Sequence, residues 1–195
     1  MGTNALINSM QYTDSHILPK FSEEALELIS RIKKRYPEGK QKSALLPVLH
    51  LAQAEFGGWL SPETMDYVAT ILNILPVEVY EVASFYSMFN LTPVGKCVIE
   101  VCRTGPCWLL GAEDIVTYLQ SKLGIKVGET TADGMFTLKT VECLAACGTA
   151  PVIQLGETYL ENMNIEKVDK MISDCRTNVK EPISHWSKKH IKKTI

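Results

Sequence analysis

The sequence predicts an α+β fold in two parts: a helical region over residues 21–94 and a strand-and-helix domain over residues 95–180. Three observations carry this. Apolar residues recur at helical spacing, between recognisable caps, up to about residue 84. From Lys96 the pattern changes to short runs rich in Val, Ile, Thr and Phe, bounded by turn residues. Of the 195 residues 46% are hydrophobic, enough for one full core or two small ones. Residues 1–20 are polar and aperiodic and read as a flexible arm; residues 181–195 read as a basic tail.

Ser22 is placed to cap a first helix that opens on Glu23 and Glu24, acids at the positive end of the dipole. Ala25, Leu28, Ile29 and Ile32 form its apolar stripe, Lys33-Lys34-Arg35 close it, and Pro37-Glu38-Gly39 stop it. A second helix spans about Ser43 to Phe56 and ends at Gly57-Gly58, with Pro47 tolerable only in its first turn. Ser61-Pro62-Glu63 reads as the N-cap and first two residues of a third, with Met65, Val68, Ala69 and Leu72 inward. Pro76 opens a fourth, through about Ser84. The aromatic run Phe85–Leu91 is expected to finish extended, and Pro93-Val94-Gly95 is the linker. His50, among apolar neighbours, reads as a core histidine rather than a ligand. Trp59 and the pair Phe85-Tyr86 suit partner anchoring, with core packing the default for each.

In the second part Lys96–Cys102 is a strand. Alternation puts Cys97, Ile99 and Val101 on one face and Cys102 on the other, so Cys97 reads as a small buried hydrophobe. Gly111–Leu123 is helical, with Ile115, Val116, Leu119 and Leu123 inward. Lys126–Thr130 and Met135–Glu142 are strands about an Asp133-Gly134 turn. Pro151–Leu155 and Thr158–Leu160 pair across Gly156-Glu157. Asn164 caps a last helix on which Val168, Met171, Ile172 and Cys175 lie together. This succession of strands and helices is compatible with a thioredoxin-like domain.

The chemistry of the chain lies in two thiol pairs. Cys102 and Cys107 are spaced C-x4-C, Cys143 and Cys147 are spaced C-x3-C, and 35 residues separate the pairs. Each pair falls where a strand gives way to a turn. Spacing alone admits three readings. Two disulfides would suit a small secreted domain, which nothing here resembles. A four-thiolate zinc site usually draws on C-x2-C knuckles, and neither pair is one. An iron–sulfur cluster needs loops whose backbone N–H groups also reach the sulfurs, which Gly105, Ala145, Ala146 and Gly148 allow. The spacing is not that of a plant-type ferredoxin. Thioredoxin's own C-x-x-C is absent, which disfavours dithiol exchange.

The wording of these loops resembles a known family. Val101-Cys102-x4-Cys107, Lys122–Thr131, Phe136-Thr-Leu138, Val141-Glu-Cys143-Leu-x-x-Cys147 and Ala150-Pro151 are similar to the small [2Fe–2S] subunit of NADH:quinone oxidoreductase, respiratory complex I. The likeness continues upstream through Ser43–His50, Gly58-Trp-Leu60 and Val82–Phe89, and covers about residues 21–175. It implies an N-terminal helical region followed by a thioredoxin-like [2Fe–2S] ferredoxin domain. It also implies that Cys102, Cys107, Cys143 and Cys147 ligate one [2Fe–2S] cluster. FMN and NADH are then expected on a partner, the flavoprotein subunit of the NADH-oxidising module, with other complex I subunits beyond it. The helical region would clamp that partner. The same module occurs in NAD-linked hydrogenases and formate dehydrogenases, the alternative setting. Cys97 and the lysine-rich tail depart from many relatives, and neither touches the cluster loops.

Composition limits the other possibilities. Net charge is −2, from 20 basic and 22 acidic residues, so no overall field recruits nucleic acid. No run approaches the roughly 18 apolar residues of a membrane span, and residues 1–20 lack the marks of a signal or transit peptide. Reduced thiols and this N-terminus suit a protein that is cytoplasmic in a prokaryote, or a mature organellar form, and is peripheral on the cytoplasmic side of the membrane through its complex. No dinucleotide fingerprint, P-loop, or base beside a nucleophile is visible, so no complete active site is expected on this chain alone. Backbone N–H groups of Thr104–Cys107 and Leu144–Gly148, apart from Pro106, are the expected donors to cluster sulfur, and Trp108 or Leu109 the expected shield from water. In the tail, Trp186 with Lys188, Lys189, Lys192 and Lys193 reads chiefly as a solvated segment.

Overall fold

The computed structural model describes residues 19–183. The expectations for the arm up to residue 18, and for Trp186 and the tail lysines, lie outside the described residues. The fold is α+β, as the sequence predicts. Four helices come first: α1 (Glu23–Lys33), α2 (Leu45–Glu55, entered through a 3-10 turn at Gln41–Ala44), α3 (Pro62–Leu72) and α4 (Pro76–Phe85). Then follow β1 (Cys97–Cys102), the single turn α5 (Pro106–Leu109), α6 (Ala112–Leu123), β2 (Phe136–Val141), β3 (Ile153–Leu155), β4 (Thr158–Leu160) and α7 (Ile165–Asn178).

The caps explain where these helices begin. Ser22 Oγ accepts from the Ala25 N–H at 3.3 Å, Ser61 Oγ from Thr64 at 3.1 Å, and Asn164 Oδ1 from Lys167 at 2.9 Å. Each side chain satisfies one of the donors a helix leaves free at its N-terminus. At α4 the Glu78 carboxylate reaches back to accept from the Leu75 N–H at 2.9 Å. Pro62 and Pro76 lie at the first helical position, where no N–H is needed.

The sheet has the order β2-β1-β3-β4. β1 pairs parallel with β2 and antiparallel with β3, and β3 pairs antiparallel with β4. All six residues of β1 are buried, so both faces of the central strand are covered. Buried apolar side chains form two clusters, one over residues 21–89 and one over 97–175. The two parts are bound by polar contacts. Lys139 of β2 donates to the Ser87 carbonyl at 3.0 Å and to Asn90 Oδ1 at 3.1 Å. Within the second part, Gly95 donates to Thr137 Oγ1 at 2.6 Å, and Ile183 returns to donate to the Lys96 carbonyl at 2.8 Å. No helix among the described residues is long and apolar enough to cross a membrane.

The structure differs from the sequence expectation in three places. Lys126–Thr130 is not a strand: Gly128 turns at φ 91° and the Glu129 N–H folds back to the Lys126 carbonyl, leaving one bridge, Thr130 to Thr137. Phe85–Leu91 does not finish extended. Tyr86 is extended, but the Phe89 N–H closes a turn onto its carbonyl. Phe85 and Tyr86 are exposed, Phe85 by 80%, against the default of core packing. His50 is buried beside Phe89, as expected of a core histidine.

Candidate functional site

The first cysteine loop is held by backbone from both neighbouring strands. At the end of β1 the Cys102 N–H donates to the Val152 carbonyl, just before β3, at 3.1 Å. One residue on, Arg103 donates to the Val141 carbonyl at the end of β2, at 3.2 Å. The chain then reverses at Gly105, whose φ of 45° is a conformation glycine adopts freely. Pro106 starts α5, and the Cys107 N–H closes the turn onto the Thr104 carbonyl at 3.1 Å. Cys102 and Cys107 are both buried.

The second loop leaves β2 and lies at the surface. Cys143 and Cys147 are exposed, their sulfurs 3.5 Å apart. Ala145 takes a left-handed conformation, φ 59°, which turns its N–H onto Cys143 Sγ at 3.4 Å. Cys147 opens a 3-10 turn to Thr149. The loops touch where Thr104 Oγ1 donates to Glu142 Oε2 at 3.4 Å. Arg103 is fixed alongside by a forked ion pair with Glu113.

The thiols feel one another and the backbone around them. Burial pushes the Cys102 thiol up, but N–H groups of Thr104 and Leu144 and the Cys107 thiol outweigh it and hold it below its usual value. Burial and the neighbouring Cys102 raise Cys107, against the pull of the Val152 N–H. Cys147 is raised first by its hydrogen bond with Cys143 and then by the charge of that thiol. Thr104 and Leu144 fall within the donor stretches the sequence suggested. Val152 does not: it lies 45 residues beyond Cys107 and arrives only because β3 pairs with β1. The single signal for it in the sequence was Ala150-Pro151, part of the family likeness. Trp108 and Leu109 do not seal the site within this chain; they are 58% and 74% exposed.

The donor set fits a two-iron cluster. The sulfurs form two pairs, and two irons bridged by sulfide take two thiolates each. N–H groups already aimed at Cys102, Cys107 and Cys143 match the outer-shell bonds such a cluster uses.

A mixed sheet carrying two thiol pairs on loops at its strand ends, one pair buried and one at the surface, defines a thioredoxin-like domain built around a thiol-ligated group. The family model of the thioredoxin-like [2Fe–2S] ferredoxins matches residues 29–176, and the chain belongs to that family. It is 49% identical over 152 residues to the E subunit of the NADH-quinone oxidoreductase of Rickettsia typhi, covering 78% of this chain and 89% of that one. With the corresponding protein of Rickettsia felis it shares 48% over 160 residues, 82% of this chain and 96% of the relative. The NADH dehydrogenase [ubiquinone] flavoprotein 2 of Dictyostelium discoideum is 43% identical over 158 residues, 81% of this chain and 64% of the relative. Among solved structures, an NAD+-reducing [NiFe]-hydrogenase in the H2-reduced state superposes with a TM-score of 0.61 at 21% identity. That match covers 69% of this chain and 22% of the hydrogenase chain, and its likeness is one of fold.

Proposed function

We propose that this chain is the electron-transfer subunit of NADH:quinone oxidoreductase, holding one [2Fe–2S] cluster on Cys102, Cys107, Cys143 and Cys147. The observation that carries it is the arrangement of those thiols as two pairs on two loops, with backbone N–H groups already directed at sulfur. A bound cluster supplies one-electron transfer at a potential set by hydrogen bonds to sulfur and by burial. The chain's own part is to fix the ligands. Val152 and Val141 carbonyls anchor the first loop, the left-handed Ala145 shapes the second, and the Thr104–Glu142 hydrogen bond joins them.

A one-electron carrier needs a partner that splits the electron pair of a hydride, and flavin does that. The partner in this reading is the FMN- and NADH-binding flavoprotein subunit. Two exposed apolar groups suit it: Trp108, Leu109 and Leu110 beside Cys107, and Phe85 with Tyr86 at the end of α4. Association would hold the protein at the cytoplasmic side of the membrane, no helix among the described residues being long and apolar enough to cross it. The hydrogenase setting rests on fold likeness at 20–21% identity, whereas the Rickettsia relatives reach 44–49% over about four fifths of the chain, so complex I is favoured.

The test is an electron paramagnetic resonance spectrum of anaerobically purified, dithionite-reduced protein. A spin-half signal, one per chain, is the expected result. A silent, colourless protein that retains zinc overturns the proposal.

A further inference from the structure

Two cysteines lie outside the cluster loops. Cys97 opens β1 and is fully buried; Cys175 lies near the end of α7 and is 3% exposed. Strand alternation sends Cys97 to the face opposite Cys102, where it shares one buried cluster with Val168, Met171, Ile172 and Cys175 of α7, and the Cys97 and Cys175 thiols interact there. Cys175 also borders a cavity of about 600 Å³ between β4 and α7, with Tyr159, Met163, Lys170, Met171 and Val179 among its walls. One thiol of the pair therefore faces a space that a small molecule can enter, and the other is sealed behind it.

We propose that Cys97 and Cys175 are an oxidation-responsive dithiol, separate from the four cluster cysteines, which closes to a disulfide when a hydroperoxide enters the α7 cavity. Cys175 sulfur attacks the peroxide, the O–O bond breaks, and a sulfenic acid forms as one water leaves. Cys97 sulfur then attacks that sulfenic sulfur; the S–S bond forms, the S–O bond breaks, and the thiol proton departs with the second water. Two thiols are oxidised and one hydrogen peroxide is reduced to two waters. The order of attack follows from position, since Cys175 alone borders the cavity. The link would tie α7 to the strand whose far end carries Cys102.

The experiment uses the full-length, cluster-loaded chain. It is titrated anaerobically with hydrogen peroxide, quenched with catalase, alkylated in denaturant and digested without reductant. Mass spectrometry should find a Cys97–Cys175 linked peptide about 2 Da lighter than its two thiol peptides together. It should grow with dose and be missing from Cys175→Ala and Cys97→Ser proteins. Recovery of both cysteines as alkylated thiols, at doses that oxidise the exposed Cys143, overturns the proposal; so does linkage of Cys175 to a cluster ligand instead. The readout is a covalent mass, so it stands or fails independently of the spin signal that tests the cluster.

Discussion

Glu100, at the centre of β1, is 2% exposed and lies 3.6 Å from Lys139 Nζ on the adjacent strand. The two are register partners in the parallel β1–β2 ladder. The same ammonium reaches the Ser87 carbonyl and Asn90 in the segment after α4. A buried carboxylate and the docking of the helical region thus share one cation. Lys139→Met should take this cation away from the buried carboxylate. The cost should be about 2–4 kcal/mol, below the roughly 3–5 kcal/mol of fully buried pairs because Lys139 is 22% exposed. The double variant Glu100→Leu/Lys139→Met should recover much of it, and urea unfolding of the three proteins checks this. Equal loss in single and double variants would show that the Ser87 and Asn90 contacts, not the carboxylate, set the cost.

Gly95, at the head of the second part, lies against the backbone of β2. A Cβ there would lie 2.8 Å from the Phe136 backbone nitrogen and carbonyl carbon. Backbone cannot rotate aside as a side chain can, so Gly95→Ala should cost about 1–3 kcal/mol. The drop in unfolding midpoint should exceed that of an alanine at Gly39, where no atom lies within 4 Å and only the left-handed φ of 76° opposes a side chain.

What was legible in the sequence was what depends on near neighbours. Ser22, Ser61 and Asn164 announced their helices because a cap acts over three residues. The strand ends that carry Cys102 and Cys143 were visible because alternation and turn residues are local. The false strand at Lys126–Thr130 has strand composition, but the turn at Gly128 breaks the ladder. Sites made by tertiary pairing were not legible. The Val152 N–H at Cys107, the meeting of Cys97 with Cys175 and the shared Lys139 each join residues at least 39 positions apart. The exposure of Phe85 and Tyr86 was missed for another reason: an aromatic pair reads the same in sequence whether it fills a core or meets a partner.

Helix α7 is tied to α6 by Asp169, which accepts from Tyr118 Oη at 2.7 Å and lies 3.0 Å from Lys122 Nζ. The tyrosine hydrogen bond first, and the lysine second, hold this carboxyl below its ordinary 3.8. A carboxyl depressed in the folded state adds stability above its unfolded pKa and loses it as pH falls through the folded value. The gap in melting temperature between the parent and Asp169→Asn should be full at neutral pH. It should close as pH drops below about 4. A gap that persists unchanged in acid would contradict the assignment.

The six cysteines divide into four and two, and serine substitution should reveal the division. Replacing Cys102, Cys107, Cys143 or Cys147 should abolish or reshape the reduced spin signal, because in the proposed site each would supply one of two thiolates to an iron. Cys97→Ser and Cys175→Ser should keep one cluster per chain, since the face of β1 they share is opposite that of Cys102. Iron content measured beside the spectrum separates lost ligation from a shifted potential. Cluster loss in either of the last two variants would mean that the dithiol supports the site directly.

Leu109 is the sharpest probe of the partner. It is 74% exposed on α5, two residues from Cys107, between Trp108 and Leu110, which are 58% and 60% exposed. Three neighbouring large apolar side chains in water beside a ligand loop gain nothing for the isolated chain, and burying them against another protein would stabilise a complex. Leu109→Glu should leave the fold and the spin signal unchanged, because the side chain lies mostly in solvent. It should weaken binding of the flavoprotein subunit at least about tenfold, the effect of losing one central apolar contact and burying a charge in its stead. Deleting the helical region is a poorer test, because it would also free Lys139 from Ser87 and Asn90. Co-purification from cells expressing both subunits, followed by titration of the purified pair, measures the change. Undiminished affinity in Leu109→Glu would move the interface away from α5 and leave Phe85 and Tyr86 as its remaining apolar anchors.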